Sequence, residues 1–264
     1  MVARGRYDKL MPDTFSSAIL RQPTPDPSDA AARAAALVFT RDIAAGWAAR
    51  YGAGVLGVYL IGSLAHGGFS RRYSDIDLAL VMDSADAATV DTMRADLDAS
   101  SPELAAKTSL FWTDRAFSTG RFPALDRIDY LDHAVALIER EHVAPARPLL
   151  EEVRGALRGA FADWGALAGH FAGLDTLTPT DGKRYLRTLL YPARFVFSWT
   201  TGGVASNDDA VAFLSDRAPP GLDVALVARA LDCRHAAADP GTLFAERATL
   251  RRQVEACERV LAAA

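Results

Sequence analysis

The sequence predicts an α/β half followed by an all-helical half, and three observations carry that expectation. Short apolar runs bounded by turn residues lie between residues 55 and 139, where they read as strands. From Pro148 onward the chain reads instead as four or five helices. Those helices are punctuated by Gly- and Pro-containing breaks at 173–179, 202–207, 219–221 and 240–241. The boundary falls between residues 143 and 148, giving expected units of 1–28, a loosely held arm, then 29–145 and 146–264.

The elements follow in order. The arm is polar and proline-rich (RQPTPDPSD). Ser28 or Asp29 is placed to cap an alanine-rich amphipathic helix that runs to about Tyr51, with Gly52 and Gly54 ending it. VLGVYLIG, Val55 to Gly62, is short and apolar and reads as a buried strand. A polar loop with Gly67 and Gly68 leads to a second strand, DIDLALVM, from Asp75 to Met82. Residues 84–99 suit a helix, and TSLFWT, Thr108 to Thr113, a third strand rich in β-formers. HAVALIE, His133 to Glu139, reads as a fourth strand, with helix the alternative.

Composition narrows the function classes. The 264 residues leave room for one large domain or two ordinary ones, and half of them are apolar, as in a soluble globular protein. A net charge of −4 argues against DNA or RNA as a partner. Cys233 and Cys257 are the only cysteines, so neither a disulfide framework nor a cysteine zinc site is expected. MVARGRYDKLMPDTF lacks the apolar run of a signal peptide, and no apolar stretch is long enough to span a bilayer. The expectation is a cytoplasmic protein without a membrane partner.

The segment YLIGSLAHGGFSRRYSDIDLALVMD carries the chemistry. Asp75 and Asp77 are two apart on the second strand, so both side chains leave one face. Adjacent carboxylates repel unless a cation lies between them, and hard oxygen ligands suit Mg²⁺ or Mn²⁺ shared with substrate phosphates. A strand ending in Gly62-Ser63 lets backbone N–H groups and a hydroxyl approach an anion, while Arg71 and Arg72 make the loop locally positive. Phosphates at Gly62-Ser63 would then meet a metal at Asp75 and Asp77, a phosphoryl-transfer arrangement.

A strand ending in G-S, a loop, then S-D-I-D-L resembles the nucleotidyltransferase superfamily that includes DNA polymerase β and the aminoglycoside adenylyltransferases. The resemblance continues more weakly through YLRTLLYPARFVFSWTTGGVASNDDAVAFLSDRAPPGLDVALVARAL, which is similar to the C-terminal bundle of streptomycin/spectinomycin-type enzymes, so that the two regions cover most of residues 55–235. It implies an α/β (α+β) nucleotidyltransferase domain with a mixed sheet, followed by an all-α helical-bundle domain. By the same resemblance Gly62, Ser63, Ser74, Arg71 and Arg194 bind the nucleotide, Asp75 and Asp77 ligate Mg²⁺, and AMP passes from ATP to a hydroxyl of a small-molecule acceptor.

The match fails at identifiable positions. The family's third acid, a metal ligand or general base on the next strand, is replaced by Lys107 in the simplest register of AKTSLFWTD. Asp114 is the only acid on or beside that strand and is taken as the third catalytic candidate with Asp75 and Asp77, although it lies at the far end. Asp126, Asp129 and Asp132 follow in a separate segment, and Asp129 reaches the site only if the chain folds back. The family's phosphate-contacting lysine after Thr201-Gly202 is Gly203 here, and its aminoglycoside-contacting acid matches Asp181 only across a gap. These losses keep a second reading open, a catalytically degenerate nucleotide-binding protein that regulates or binds a partner. Phe111, Trp112 and Phe117 suit core packing or the face of a nucleotide base. His66 suits either the phosphates or a solvated loop, whereas His133 and His170 have no second ligand at metal spacing. Trp164, Trp199 and their phenylalanine neighbours fit an apolar helix stripe, and Glu139, Arg140 and Glu141 a solvated face.

Overall fold

A computed structural model of the chain describes residues 27–263, so the expected N-terminal arm lies almost wholly outside the described residues. The first helix, α1 (Pro27–Tyr51), is followed by strand β1 (Val55–Ile61), a short helix α2 (Gly62–His66) and strand β2 (Ile76–Met82). Helices α3 (Ala87–Ser100) and α4 (Pro102–Ala105) lead to β3 (Thr108–Asp114), and the two-residue β4 (Gly120–Arg121) precedes α5 (Ala124–His133) and β5 (Val135–Glu139). The remainder is helical: α6 (Leu150–Ala172), α7 (Gly182–Thr201), α8 (Asn207–Asp216), α9 (Val224–His235) and α10 (Thr249–Ala262). The α4, β4 and α5 elements have no counterpart in the sequence reading, because each is too short or too polar to show a period. Asp29 lies in the first turn of α1 and accepts a hydrogen bond from the Arg71 backbone N–H at 2.8 Å.

The strands form one mixed sheet in the order β4-β3-β2-β1-β5, with β2 and β3 parallel and the other neighbours antiparallel. Antiparallel β1 and β2 are joined by the α2 loop, whereas the parallel β2–β3 pair needs the longer α3–α4 crossover. Alternation decides what each face carries. Val58 and Leu60 of β1 and Leu78 and Leu80 of β2 pack under α1 and α3 against Phe39, Trp47 and Met93. Tyr59 and Ile61 of β1, with Ala79 and Val81 of β2, pack on the opposite face against Tyr130 of α5. Asp77 shares the face of Ala79 and Val81, so it emerges on the side that α5 covers.

The helical part has its own core, centred on Tyr185, Leu189, Phe195 and Trp199 of α7 and on Phe161, Trp164 and Phe171 of α6. The expected apolar stripe is therefore core, and Trp164 Nε1 donates to the Thr188 carbonyl at 2.9 Å. Ile128 of α5 enters this same core, so α5 joins the sheet to the helices. Glu139, Arg140 and Glu141 are exposed, as expected of a solvated face.

The β2–β3 register corrects the reading of the third strand. Asp77 lies beside Ser109, not beside Lys107. Lys107 precedes β3, with its Nζ 3.7 Å from Glu103 and its side chain 41% exposed. Asp114 pairs with Met82 at the other end of the strands, five residues from Ser109 or about 16 Å along β3. Lys107→Glu is accordingly expected to leave divalent-metal affinity within about twofold of wild type, since the lost partner is an exposed ion pair. Mn²⁺ calorimetry checks this, and a marked tightening would restore the sequence register.

Candidate functional site

A cavity of about 370 Å³ opens where the end of the sheet faces α7 and α9. Its sheet side carries Gly62, Ser63, Ser74, Asp75, Asp77 and Ser109, and its helical side Lys183, Arg187, Arg194 and Arg234. Of the expected site residues, the fold thus brings together Asp75, Asp77, Gly62, Ser63, Ser74 and Arg194. It leaves two outside. Arg71 points away, its Nε 3.9 Å from Asp29. Asp114 accepts hydrogen bonds from the Ser118 N–H and hydroxyl at 2.8 and 2.7 Å, which stabilise its charged form and tie down a turn. Asp114 lies at the far end of β3 from Asp77, and the fold does not bring it to the cavity as the sequence expectation of a third catalytic acid requires.

Two acids that the sequence left in a separate segment are in the cavity instead. Asp126 and Asp129 are one turn apart on α5 and both line it. Asp129 is buried, and its Oδ2 accepts the Gly62 N–H at 2.7 Å. Its Oδ1 has no hydrogen-bond partner among the described residues, with His66 Nε2 3.6 Å away. Gly62 has a φ of +67°, a left-handed conformation that glycine adopts at no cost, and a Cβ there would collide with the Asp77 carboxylate. Gly62 therefore serves by its conformation and small size, since its N–H is already spent on Asp129.

Four carboxylates in so small a space disfavour one another's ionisation. Burial, then the charges of Asp75, Asp126 and Asp129, push the Asp77 carboxyl up to about 7. Burial and Asp129 push Asp126 up to about 6. The helical side opposes this with cations. Lys183 Nζ lies 2.5 Å from Asp75 Oδ1, so a lysine of α7 supplies a counter-charge to the pair. Arg194 is exposed and lines the cavity. Desolvation and then the neighbouring Arg187 hold its pKa below the usual guanidinium range, with Asp129, Asp77 and Asp126 opposing.

The serines form a second knot. Ser74 Oγ accepts from Ser63 Oγ at 3.0 Å, from the Ser70 N–H at 2.9 Å and from Arg234 Nη2 at 2.7 Å. Arg234 also donates to the Gly68 carbonyl at 3.1 Å, and its buried Nε has no partner among the described residues. Burial and then Arg194 lower its pKa to about 10. Two desolvated guanidiniums that destabilise each other across one cavity make an anion-receiving wall. Sequence reasoning missed Arg234, and the signal that finds it is spatial: α9 ends against the Gly68–Ser74 loop. His66 lines the cavity with its imidazole driven toward the neutral form by burial, and its ring lies against His133 with centroids 5.2 Å apart. Phe111 also faces the cavity, whereas Trp112 packs with the α1 side of the sheet and Phe117 with Phe122 and Tyr130.

A divalent cation suits this donor set. The orphaned Asp129 oxygen and the raised Asp77 carboxyl both mark a shortage of positive charge on the sheet side. Among the described residues no group of three or more His, Cys, Asp or Glu side chains is arranged to hold a metal unaided. Two carboxylates with phosphate oxygens meet the usual needs of Mg²⁺.

Two outcomes follow. Between about pH 4 and 7 the native state retains a proton on Asp77 that the unfolded chain has released, so stability falls as pH rises through that window. Asp77→Asn removes this penalty and is expected to raise Tm at pH 8 by on the order of 2–6 °C, and by less at pH 5; melts at both pH values check it. Lys183→Met is expected to tighten Mn²⁺ binding to the nucleotide-free protein several-fold, because the ammonium and the metal compete for Asp75. Unchanged affinity in calorimetry would show that Lys183 yields its place without cost.

No family model and no curated protein matches this chain. Among solved structures its fold is similar to that of a spectinomycin adenyltransferase, AAD(9) from Enterococcus faecialis, determined with ATP and spectinomycin. The TM-score is 0.62 at 11% identity, covering 85% of this chain and 99% of that one. At this identity the likeness shows the fold alone: the chain shares the architecture of that structure.

Proposed function

We propose that this protein is a Mg-dependent nucleotidyltransferase that moves a nucleoside monophosphate, AMP from ATP, onto a hydroxyl of a small molecule. The observation that carries the reading is the division of charge across one cavity, with Asp75, Asp77, Asp126 and Asp129 facing Lys183, Arg194 and Arg234 around Gly62 and Ser63. The likeness to an adenyltransferase solved with ATP supports it. In this reading residues 29–145 and 146–264 act as two domains with the nucleotide between them.

Each residue has a task that its geometry suits. Asp75 and Asp77 would hold Mg²⁺, which supplies charge neutralisation at the phosphates. Ser63 and Ser74 face the triphosphate, and Arg194 and Arg234 balance the outer phosphates from α7 and α9. The acceptor oxygen attacks the α-phosphorus, forming an O–P bond as the bond to the β-phosphate oxygen breaks and pyrophosphate leaves. Asp126, facing the cavity with its carboxyl near 6, takes the hydroxyl proton and stands in for the acid that Ser109 replaces on β3. Asp129 positions Gly62. The degenerate reading rested on Lys107 and Gly203. Lys107 lies outside the cavity, and Arg234 offers the cation that Gly203 lacks.

Calorimetry and pyrophosphate release test the assignment. The Asp75→Asn, Asp77→Asn double variant is expected to lose Mg-dependent ATP binding while remaining folded, and wild-type affinity in it would remove the site. Arg194→Ala is expected to weaken ATP more than AMP, and equal weakening would return Arg194 to a packing role. Asp126→Asn is expected to slow transfer by about 10²- to 10⁴-fold with little change in ATP affinity. Wild-type transfer should rise with pH through about 6 as Asp126 loses its proton.

A further inference from the structure

Resting on that reading, we infer that the acceptor is an anionic hydroxylated molecule, bearing a phosphate or a carboxylate, rather than a polycation. Its subsite is formed by Arg121, Arg187, Phe111, Ser109 and Asp126.

The case begins on α7. Lys183, Arg187 and Arg194 are spaced four and seven residues apart, so they form one stripe along the helix, about 16 Å long. Their surroundings differ. Lys183 is occupied by Asp75, and Arg194 faces the aspartate cluster with Arg234 beyond it. Arg187 lines the same cavity, and among the described residues it has no carboxylate within 4.0 Å. It is also the foremost charge acting against the protonated form of Arg194. A guanidinium left in that position raises the cost of its neighbour, and an anion beside it would remove the cost.

Arg121 answers it from the sheet. It sits on β4 with its guanidinium 5.5 Å from the centre of the Phe111 ring, and among the described residues it too has no carboxylate within 4.0 Å. Both arginines are exposed and both line the cavity. Arg194 and Arg234 already serve the outer phosphates in the proposed complex, which leaves Arg121 and Arg187 for a different negative group. Ser109 and Asp126 lie in the same cavity, where a hydroxyl of that molecule would meet the α-phosphorus.

A polycationic acceptor would need carboxylates here. The nearest sequence counterpart of an amine-binding acid, Asp181, lies outside the cavity: it accepts a hydrogen bond from Thr178 at 2.6 Å and sits 4.0 Å from Arg184. An amine-rich molecule would instead face the Arg121 and Arg187 guanidiniums with Asp126 as the one carboxylate of the subsite, a repulsion that selects against it.

The test uses the full chain saturated with Mg²⁺ and α,β-methylene-ATP, titrated at fixed ionic strength with inorganic phosphate, acetate and 2-deoxystreptamine. One of the two anions is expected to bind saturably, phosphate marking a phosphorylated acceptor and acetate a carboxylated one. Arg187→Ser and Arg121→Ser should each weaken that binding by about tenfold or more, while nucleotide affinity changes far less, and Arg187→Lys should recover part of it. The inference is overturned if neither anion binds the nucleotide complex, if the anion displaces the nucleotide, or if 2-deoxystreptamine is the ligand that binds. Failure of Mg-nucleotide binding in the first step is a separate result. It removes the nucleotidyltransferase reading and this assignment with it.

Discussion

Packing four aspartates against one end of a sheet is unfavourable, and much of the architecture answers that cost. Asp75 and Asp77 arrive with β2, and Asp126 and Asp129 are laid over them by α5. On the sheet side the Gly62 N–H meets only Asp129, and much of the compensating charge comes from helices that belong to a different core. Lys183 and Arg194 reach in from α7 and Arg234 from α9. The apolar face of α7 is buried among α6, α8, α9 and α10, which holds its charged face rigidly toward the carboxylates. Electrostatic need and hydrophobic packing thus fix the same helix from opposite sides.

The Gly68–Ser74 loop is the seam between these parts. Arg72 donates to the Ala237 carbonyl at 3.2 Å, the Tyr73 hydroxyl donates to the Ala238 carbonyl, and Arg234 returns to Ser74 and Gly68. A buried polar network of this kind holds only if its members are satisfied together. Ser63, the Ser70 N–H and Arg234 converge on Ser74 Oγ, which ties the residue next to Asp75 to both parts.

Much of this is legible in the sequence. Strong apolar runs with turn residues at their ends gave β1, β2 and β3 to within a residue or two, and the glycine- and proline-containing breaks separated the last five α-helices. Gly62, Ser63, Asp75 and Asp77 were legible because a continuous motif holds them together. What escaped depends on pairing. The choice between Lys107 and Ser109 as the neighbour of Asp77 is a register of two residues, and periodicity is blind to a shift of one full pleat. Asp114 sat on the right strand at the wrong end. Asp129 and Arg234 are far from the motif in sequence, and nothing local records that α5 folds back or that α9 stops against the loop.

The position of α5 ties the acidic cluster to the closure of the sheet. Because β4 and β5 are opposite edges of the sheet, the helix between them must cross every intervening strand. Two of the four acids, and the hold on Gly62, are therefore delivered by a segment whose two ends lead into opposite edges of the sheet. An intermediate with β5 still unpaired would present Asp75 and Asp77 with neither companion acid and with Gly62 untethered. The completeness of the acidic cluster thus depends on the two strands that lie farthest apart in the sheet order.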